Sequence, residues 1–334
     1  MTTSRPRLAG FTSRLAPIID AYLRLKDALG RQYAAERTIL RSLDAFLTTI
    51  HDDLTADTFA AWNATLGRLT PGVHRNWLRV VRNLCLYRRR TVPDAFVPDP
   101  TGFPKPHASV HPYIFTAAEI AHLLRAADRL DATPRSPLRP ETFRLAIVLL
   151  YTSGLRRGEL VRLTVGDYDP RDHTLLVRES KFHKSRLLPL SRDAQQELEA
   201  YLLARRRHGF PLASDSALIW NRSRRGGRAY TGEALRCGLD AIFTAADIRT
   251  PTGARPRVHD LRHTFAVHAL LRWYHCGVDP QAKLPFLSTY MGHVSPVSTA
   301  YYLPFVSALA EAASMRFLRT CGALVTVPPA GGRS

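Results

Sequence analysis

Apolar residues recur at helical spacing through the first ninety residues of the chain. One apolar stripe covers 15–23 and a second covers 39–47, with successive members mostly three or four residues apart. Shorter periodic segments predict two further helices at about 56–67 and 74–89. Together these segments predict a small all-helical domain over residues 11–95.

A proline-rich stretch follows the helical pattern. The sequence between Val92 and His111 contains five prolines and little periodicity, a composition that favours extended chain over helix or strand. We therefore predict a linker at 96–111 and a second domain over 112–334.

The second domain is predicted to be mainly helical. Thr116 and Glu119 have the spacing of a capping box ahead of apolar positions. The unbroken apolar run LAIVLLY at 145–151 is too apolar for a surface helix and predicts a helix in the core. Leucine-rich segments at 175–177 and 187–190 predict one β-hairpin. The predicted fold class is mainly α with a small β-hairpin, in two domains.

The charge balance indicates the kind of partner. The 334 residues include 47 Lys and Arg against 28 Asp and Glu, a formal net charge of +19. Such an excess favours a polyanion, because each cation set on a phosphate releases condensed counterions. The helix at 74–89 carries Arg75, Arg79 and Arg82, which are candidates for DNA binding, although a solvated basic face has the same pattern. Four scattered cysteines and the lack of a long apolar run predict a reduced, cytoplasmic protein with no membrane partner.

The stretch HDLRH at 259–263 places two histidines four residues apart around an acid. This spacing is used by zinc hydrolases, in which both imidazoles lie on one helix face. Here, however, Asp260 is shorter than the usual glutamate, and Arg262 would put a cation beside the metal. No third ligand stands at metallohydrolase spacing. We therefore expect neither a metal nor another cofactor.

A second arginine motif follows the apolar run of the predicted core helix. The sequence TSGLRRGEL at 152–160 delivers Arg156 at the end of that helix, with Glu159 three residues further on. It resembles the first arginine motif of the tyrosine recombinases, the phage integrase family. The stretch HDLRH is similar to the His-x-x-Arg motif of the same family.

Three more features resemble that family, in the expected order along the chain. The sequence YMGH, which ends at His293, is similar to the family's Leu-Gly-His motif, and Tyr302 follows nine residues later, where the family keeps its nucleophile. Lys181 in RESKFHKSRLLPL is similar to the family's β-hairpin lysine, although Ser180 and Phe182 replace the glycines that commonly flank it. The catalytic residues implied by the resemblance are Arg156, Lys181, His259, Arg262, His293 and Tyr302, with Glu159 in support.

The resemblance implies a chemistry that suits these residue types. Tyr302 would attack a DNA phosphodiester and form a 3′-phosphotyrosine, while Arg156 and Arg262 bind the two non-bridging oxygens. Lys181 would protonate the departing 5′ oxygen. His259 and His293 would manage the tyrosine proton and hydrogen-bond the phosphate, and neither metal nor ATP is needed. Their division of labour is implied by the family and does not follow from spacing.

Several assignments remain open at this point. Tyr301 competes with Tyr302 as the nucleophile, and Lys184 competes with Lys181 as the general acid. His263 and His268, one and two turns beyond His259, are expected to be packing residues or indirect supports. Further candidates for DNA contact are Lys184, Arg224 and Arg225.

The overall prediction is a DNA clamp that carries out site-specific recombination. The two domains would grip opposite faces of double-stranded DNA, and four copies, or copies with related recombinases, would exchange strands on it. The stretch from Lys283 to Leu303 resembles mobile-element recombinases, and an apolar stripe at 306–318 predicts a helical tail that docks on its own domain or a neighbour. The competing functions are a tyrosine-class type I topoisomerase, a non-catalytic DNA-binding accessory protein and a zinc hydrolase.

Overall fold

The computed structural model of the chain divides into two compact units, residues 1–110 and 111–334. No helix among the residues described is long and apolar enough to cross a membrane. The description covers residues 10–31, 33–105, 111–178, 185–223, 226–293 and 295–305.

Four α-helices lie in the part of the first unit that the structure describes, as the apolar stripes predict. Their inward faces bury Ile19, Leu40, Leu43 and Val81, which are all fully enclosed around the indole of Trp62. Burial of these large apolar side chains is the main stabilising contribution to such a small domain. The helices are α1 (Ala16–Ala28), α2 (Ala34–Ile50), α3 (Ala56–Ala64) and α4 (Pro71–Arg88).

The proline-rich segment after α4 packs back onto this unit. Phe103 is 8% exposed and joins the helical core. Arg75 donates from Nη1 to the carbonyl of Pro104 at 2.8 Å, and Arg82 donates from Nε to the carbonyl of Pro98 at 3.2 Å. Extended chain outside a sheet has no neighbouring strand to donate to its carbonyl groups, and side-chain donors of this kind can take that place.

The second unit is built around α6 (Arg139–Ser153), which contains the run LAIVLLY. Its residues 145–150 are all buried, which confirms the predicted core helix. Around it pack α5 (Ala117–Asp128), α8 (Arg192–Arg207) and α10 (Val258–His275). The remaining helices are α7 (Arg157–Leu160), α9 (Gly232–Ala245), α11 (Pro280–Met291) and α12 (Val297–Ala300).

Two small antiparallel sheets interrupt these helices. The predicted hairpin is confirmed as β2 (Thr174–Val177) paired with β3 (Arg186–Pro189), and β1 (Tyr168–Asp169) extends it to three strands. A second hairpin, β4 (Trp220–Ser223) with β5 (Gly226–Ala229), was not predicted. The sequence GGRA has no alternating apolar pattern, so its pairing with β4 is not apparent from the chain.

The last described segment returns to α10. Tyr302 packs with Leu270 of α10 and with Leu287 and Met291 of α11 in one buried cluster. This packing brings Tyr302 back against the helix that carries Arg262. The fold thereby gathers residues that are more than a hundred positions apart in the chain.

Candidate active site

Arg156 is positioned by an abrupt end to the core helix. Gly154 terminates α6 in the left-handed conformation, with φ 60°, and a Cβ there would lie 2.5 Å from the ring of Phe265. Glycine is therefore required by both the backbone and the packing. Two residues later Arg156 caps α7. Its Nη1 donates to Glu159 Oε1 at 2.8 Å, and its Nη2 donates to the carbonyl of Gly292 at 2.9 Å.

Glu159 is the buried acid that holds this arginine in place. It also accepts two hydrogen bonds from Arg186 on β3, from Nη1 at 3.1 Å and from Nη2 at 2.9 Å. Burial on its own raises the pKa of a carboxyl group, but the hydrogen bonds from Arg186 and Arg156 outweigh it and hold the pKa of Glu159 at about 2. Glu159 is thus a fixed anion between two guanidinium groups.

Arg186 was missed by the sequence analysis. It stands directly before the leucine-rich segment 187–190, in no motif, and the signal in the sequence was a charged residue at the edge of that segment. Its Nε also donates to the carbonyl of Tyr290 at 2.8 Å. A Cβ on Gly292, where φ is 66°, would lie 2.8 Å from Arg186 Nη1. The glycine of YMGH therefore leaves room for this guanidinium.

Arg262 lies deeper than Arg156. Its side chain donates to the carbonyl of Met291 at 2.7 Å and also to the carbonyl of Gly154. Desolvation, followed by the nearby charge of Arg156, lowers the pKa of Arg262 to about 10, which still leaves it protonated at neutral pH. Arg262 is 1% exposed, whereas the side chain of Arg156 is 27% exposed. Of the two guanidinium groups, that of Arg156 is therefore the more accessible to solvent.

His259 and His293 both lie beside these arginines. His293 Nδ1 is 2.8 Å from the hydroxyl of Thr299, and His259 is exposed at the beginning of α10. For each of them desolvation, and then the charge of Arg262, lower the imidazole pKa to about 4. Both rings are therefore neutral at physiological pH and can accept as well as donate a hydrogen bond.

Tyr302 and Tyr301 differ sharply in their surroundings. Tyr302 is 3% exposed, and its hydroxyl lies 3.2 Å from Nδ1 of His263, while its ring stacks on His293 with centroids 6.3 Å apart. Burial raises the pKa of Tyr302, and the charge of Arg262 opposes that shift. Tyr301 is 37% exposed. The structure thus brings Tyr302 together with Arg156, Glu159, His259, Arg262 and His293.

Other predicted residues are not part of this cluster. Arg75, Arg79 and Arg82 lie on α4 in the first unit, where Arg75 and Arg82 hold the proline-rich segment and Arg79 is bonded to Asn76 at 2.8 Å. Their DNA-binding role stays a prediction. The predicted features that fall outside the described residues are Lys181, Lys184, Arg224, Arg225 and the tail helix at 306–318.

A basic cleft beside His259 was also missed. The cleft encloses about 630 Å³ between the start of α7, one face of α9 and the approach to α10. Its one acidic group, Asp240, already pairs with Arg236 at 2.6 Å and with Arg255 at 3.2 Å. The signal in the sequence was the run ARPRVH, which sets two arginines just ahead of HDLRH. The basic residues of the cleft are Arg157, Arg236, Arg255, Arg257 and His259.

The two histidines of HDLRH lie against each other, and one of them contacts Tyr302. Their rings meet edge to face with centroids 4.6 Å apart, and His263 is engaged with Tyr302. Among the described residues there is no group of three or more His, Cys, Asp or Glu side chains that could hold a metal ion.

Known proteins with similar sequences include integrases and recombinases. Residues 114–305 match the phage integrase family. The putative integrase/recombinase y4rB of Sinorhizobium fredii is 33% identical over 306 residues, which is 90% of this chain and 96% of that protein. The tyrosine recombinase XerD of Mycobacterium leprae is 35% identical over 173 residues, half of each chain.

Solved structures share the fold at low sequence identity. The Tn1549 transposon integrase in complex with transposon right end DNA has a TM-score of 0.58 at 17% identity, and covers 91% of this chain and 99% of its own. The XerH site-specific recombinase in a post-cleavage complex with its difH substrate has the same TM-score at 19% identity, over 83% of this chain and 77% of its own. The family match spans more than half of the chain, and the y4rB relative spans nearly all of it. The chain therefore belongs to the phage integrase family and is a tyrosine recombinase, an enzyme of site-specific DNA recombination.

Proposed function

We propose that Tyr302 is the nucleophile of this recombinase and that Arg156 and Arg262 bind the non-bridging oxygens of the scissile phosphate. The observation that carries the proposal is the turn 291–293. Its carbonyl groups at Met291 and Gly292 each accept a hydrogen bond from one of these arginines. Two guanidinium groups held by one turn form a preorganised site for a phosphate, because each group can bind one non-bridging oxygen. His293, next in the chain, stacks on the ring of Tyr302.

The charge in this cluster suits a reaction that uses no metal ion. Arg156 and Arg186 share the carboxylate of Glu159, and Arg262 lies near them, so the three arginines bring more positive charge than this one acid neutralises, where a pentavalent phosphorus would develop negative charge. Lys181 is proposed as the general acid for the 5′ oxygen, because an alkoxide is a poor leaving group unless it is protonated as it departs. The neutral imidazoles of His259 and His293 then serve as hydrogen-bonding groups to the phosphate.

The basic cleft next to His259 is proposed to hold the DNA backbone beside the scissile phosphate. Four arginines line it against one acid that is already paired, and such a surface attracts consecutive phosphates. Arg79 of α4, with Lys184, Arg224 and Arg225, would add contacts on the same duplex. Four copies, or copies with related recombinases, would assemble on two sites to exchange strands of a mobile element in the bacterial cytoplasm.

The test is capture of a covalent adduct with DNA. The full chain is incubated with fragmented genomic DNA in EDTA, denatured, and the attached ends are sequenced. We expect adducts at one preferred sequence, with DNA joined through its 3′ phosphate to the peptide that contains Tyr302. Adducts that form only when zinc or magnesium is added would overturn the metal-free mechanism, and uniform attachment along DNA would favour a topoisomerase.

A further inference from the structure

The strongest unexplained feature of the site is the contact between His263 and Tyr302. His263 Nδ1 lies 3.2 Å from the phenolic oxygen, within hydrogen-bonding range, and both side chains are buried. Neither His259 nor His293 makes a hydrogen bond to that oxygen among the residues described: His293 instead contacts Thr299, and His259 meets the edge of His263. His263 is therefore placed closer to the reacting hydroxyl than either histidine of the family motifs.

We propose that His263 is a catalytic residue that accepts the proton of the Tyr302 hydroxyl as the phosphotyrosine bond forms. The inference rests on the proposed role of Tyr302 as the nucleophile. In this proposal His263 takes the proton that the family resemblance assigns to His259 and His293, although its sequence position predicts a packing residue or an indirect support.

The step balances as follows. The Tyr302 oxygen forms a bond to phosphorus while its proton moves to His263 Nδ1, and the bond from phosphorus to the 5′ oxygen breaks. The general acid, proposed to be Lys181, gives the 5′ oxygen its proton. In the reverse reaction a 5′ hydroxyl attacks phosphorus and gives its proton back to the deprotonated general acid, while the bond from phosphorus to Tyr302 breaks and His263 returns the proton to the departing Tyr302 oxygen. His263 thus serves as base in cleavage and acid in ligation.

The surroundings of His263 decide the timing of this transfer. Desolvation, and then the neighbouring His259, lower the pKa of His263 to about 4, while burial raises the pKa of Tyr302. Complete proton transfer before attack is therefore unfavourable, so the proton moves together with formation of the oxygen–phosphorus bond. The same shift keeps the imidazole unprotonated, and able to accept, throughout the neutral range. The charged and titratable groups that face His263 are Tyr301 and Tyr302 after α12, and Arg257, His259, Asp260 and Arg262 at the start of α10.

The chain offers a matched control on the same helix. His268 lies five residues further along α10, and its Nδ1 is 3.2 Å from the hydroxyl of Tyr151. This contact has the same chemical type and length as that of His263 but lies outside the cluster around Arg156 and Arg262. Replacing His268 controls for the loss of one half-buried histidine–tyrosine contact on α10.

The experiment measures single-turnover adduct formation between pH 6 and 9 for the full chain and three variants. In His263→Asn the amide oxygen can still accept a hydrogen bond from Tyr302 but cannot take its proton. His263→Ala removes both abilities, and His268→Asn is the control. We expect both His263 variants to be about 10²- to 10⁴-fold slower at neutral pH. Their rates should rise about tenfold per pH unit as hydroxide replaces the base, whereas His268→Asn keeps the rate and the flatter profile of the unmodified chain.

A second substrate separates this role from that of the general acid. A bridging 5′-phosphorothiolate needs little protonation of its leaving group, so it should restore the rate of Lys181→Ala and leave the His263 variants slow. Cleavage by His263→Asn at the rate of the control, or a slowed rate with the pH profile of the unmodified chain, would overturn proton acceptance by His263. Failure of the unmodified chain to form any adduct, or adduct formation by Tyr302→Phe, would instead overturn the assignment of Tyr302.

Discussion

The arginines on α4 and the arginines around Glu159 both bind backbone carbonyl groups, but their surroundings differ. In the first unit Arg75 and Arg82 are half-buried and bind carbonyl groups of the chain's own proline-rich segment. In the second unit Arg156 and Arg262 bind carbonyl groups of a single turn, next to a buried acid and a tyrosine. Carbonyl contacts fix the guanidinium in both places. In the second unit they hold it near Glu159 and Tyr302.

The difference shows that helical spacing of arginines does not by itself identify a binding face. Arg75, Arg79 and Arg82 form a regular basic stripe in the sequence, yet two of the three make structural hydrogen bonds and only Arg79 is exposed. By contrast, Arg186 has no motif and is 9% exposed in its side chain, yet it completes the pairing of Glu159. The surroundings of each guanidinium decide what it does.

The largest expected effect is the loss of covalent adduct formation when Tyr302 of the second unit is replaced. Tyr302→Phe removes one hydroxyl and almost no area or charge, so DNA affinity should stay near normal while the covalent adduct disappears. Tyr301→Phe is the matched control and should still form adduct. Binding and adduct are measured separately, by gel shift and by denaturing gel. An exchange of the two phenotypes would transfer the nucleophile to Tyr301.

Removal of Arg262, which is proposed to bind the scissile phosphate, should have the next largest effect. Arg262→Ala should slow adduct formation by about 10²- to 10³-fold, the usual effect of deleting one donor to a developing oxyanion. A bridging 5′-phosphorothiolate should restore little of this rate, because the defect lies at the non-bridging oxygens. The same substrate should rescue Lys181→Ala. Equal rescue of both variants, or rescue of Lys184→Ala instead, would contradict the division of roles.

Arg186→Ala tests a residue that acts through Glu159. Loss of its two hydrogen bonds leaves the Glu159 carboxylate less restrained and allows the Arg156 guanidinium to shift. We expect adduct formation to slow by about 10- to 100-fold, as is found for groups that orient ligands at metal sites. Arg178→Ala is the control, since Arg178 pairs with Asp167 in the same unit but is 62% exposed in its side chain. Similar rates for the two variants would show that Arg186 has no role in positioning.

Acidification should destabilise the second unit through its buried histidines. The folded pKa of His263 is about 4, below the usual value of about 6.5 for an unfolded chain. Between these values the unfolded state binds more protons, so the free energy of unfolding falls as pH decreases from about 6.5 to about 4. The contribution of His263 is at most about 3 kcal/mol. Urea unfolding at several pH values measures the slope, which should be smaller in His263→Asn; an unchanged slope would contradict the shift.

The smallest expected effects separate structure from binding on α4. Arg75→Ala and Arg82→Ala should each lower the free energy of unfolding by about 1 kcal/mol, because each loses a hydrogen bond to the proline-rich segment. Arg79→Ala should leave stability nearly unchanged but weaken DNA binding and reduce its salt dependence. Thermal unfolding and salt titrations of DNA affinity measure the two quantities. The reverse pattern would show that Arg79 is the structural residue.

Much of the architecture could be predicted from periodicity. The core helix α6 and the hairpin β2–β3 appear where apolar runs predict them, since burial requires continuous or correctly spaced apolar residues. The hairpin β4–β5 could not be found in this way. Its strands read WNRS and GGRA, and they pair because Gly227 leaves room for the ring of Trp220, a contact that appears only after folding.

The sequence by itself determined the family chemistry: the order of Arg156, HDLRH, YMGH and Tyr302, and a net charge suited to DNA. The tertiary structure alone decided which atoms meet. It placed Arg186 on Glu159, gave Tyr302 rather than Tyr301 the buried position, and put His263 on the phenolic oxygen. Motifs can be recognised in the sequence because they are defined by residue types and spacings alone. Contacts between residues dozens of positions apart depend on how the helices pack, and that packing is set by all the core side chains together.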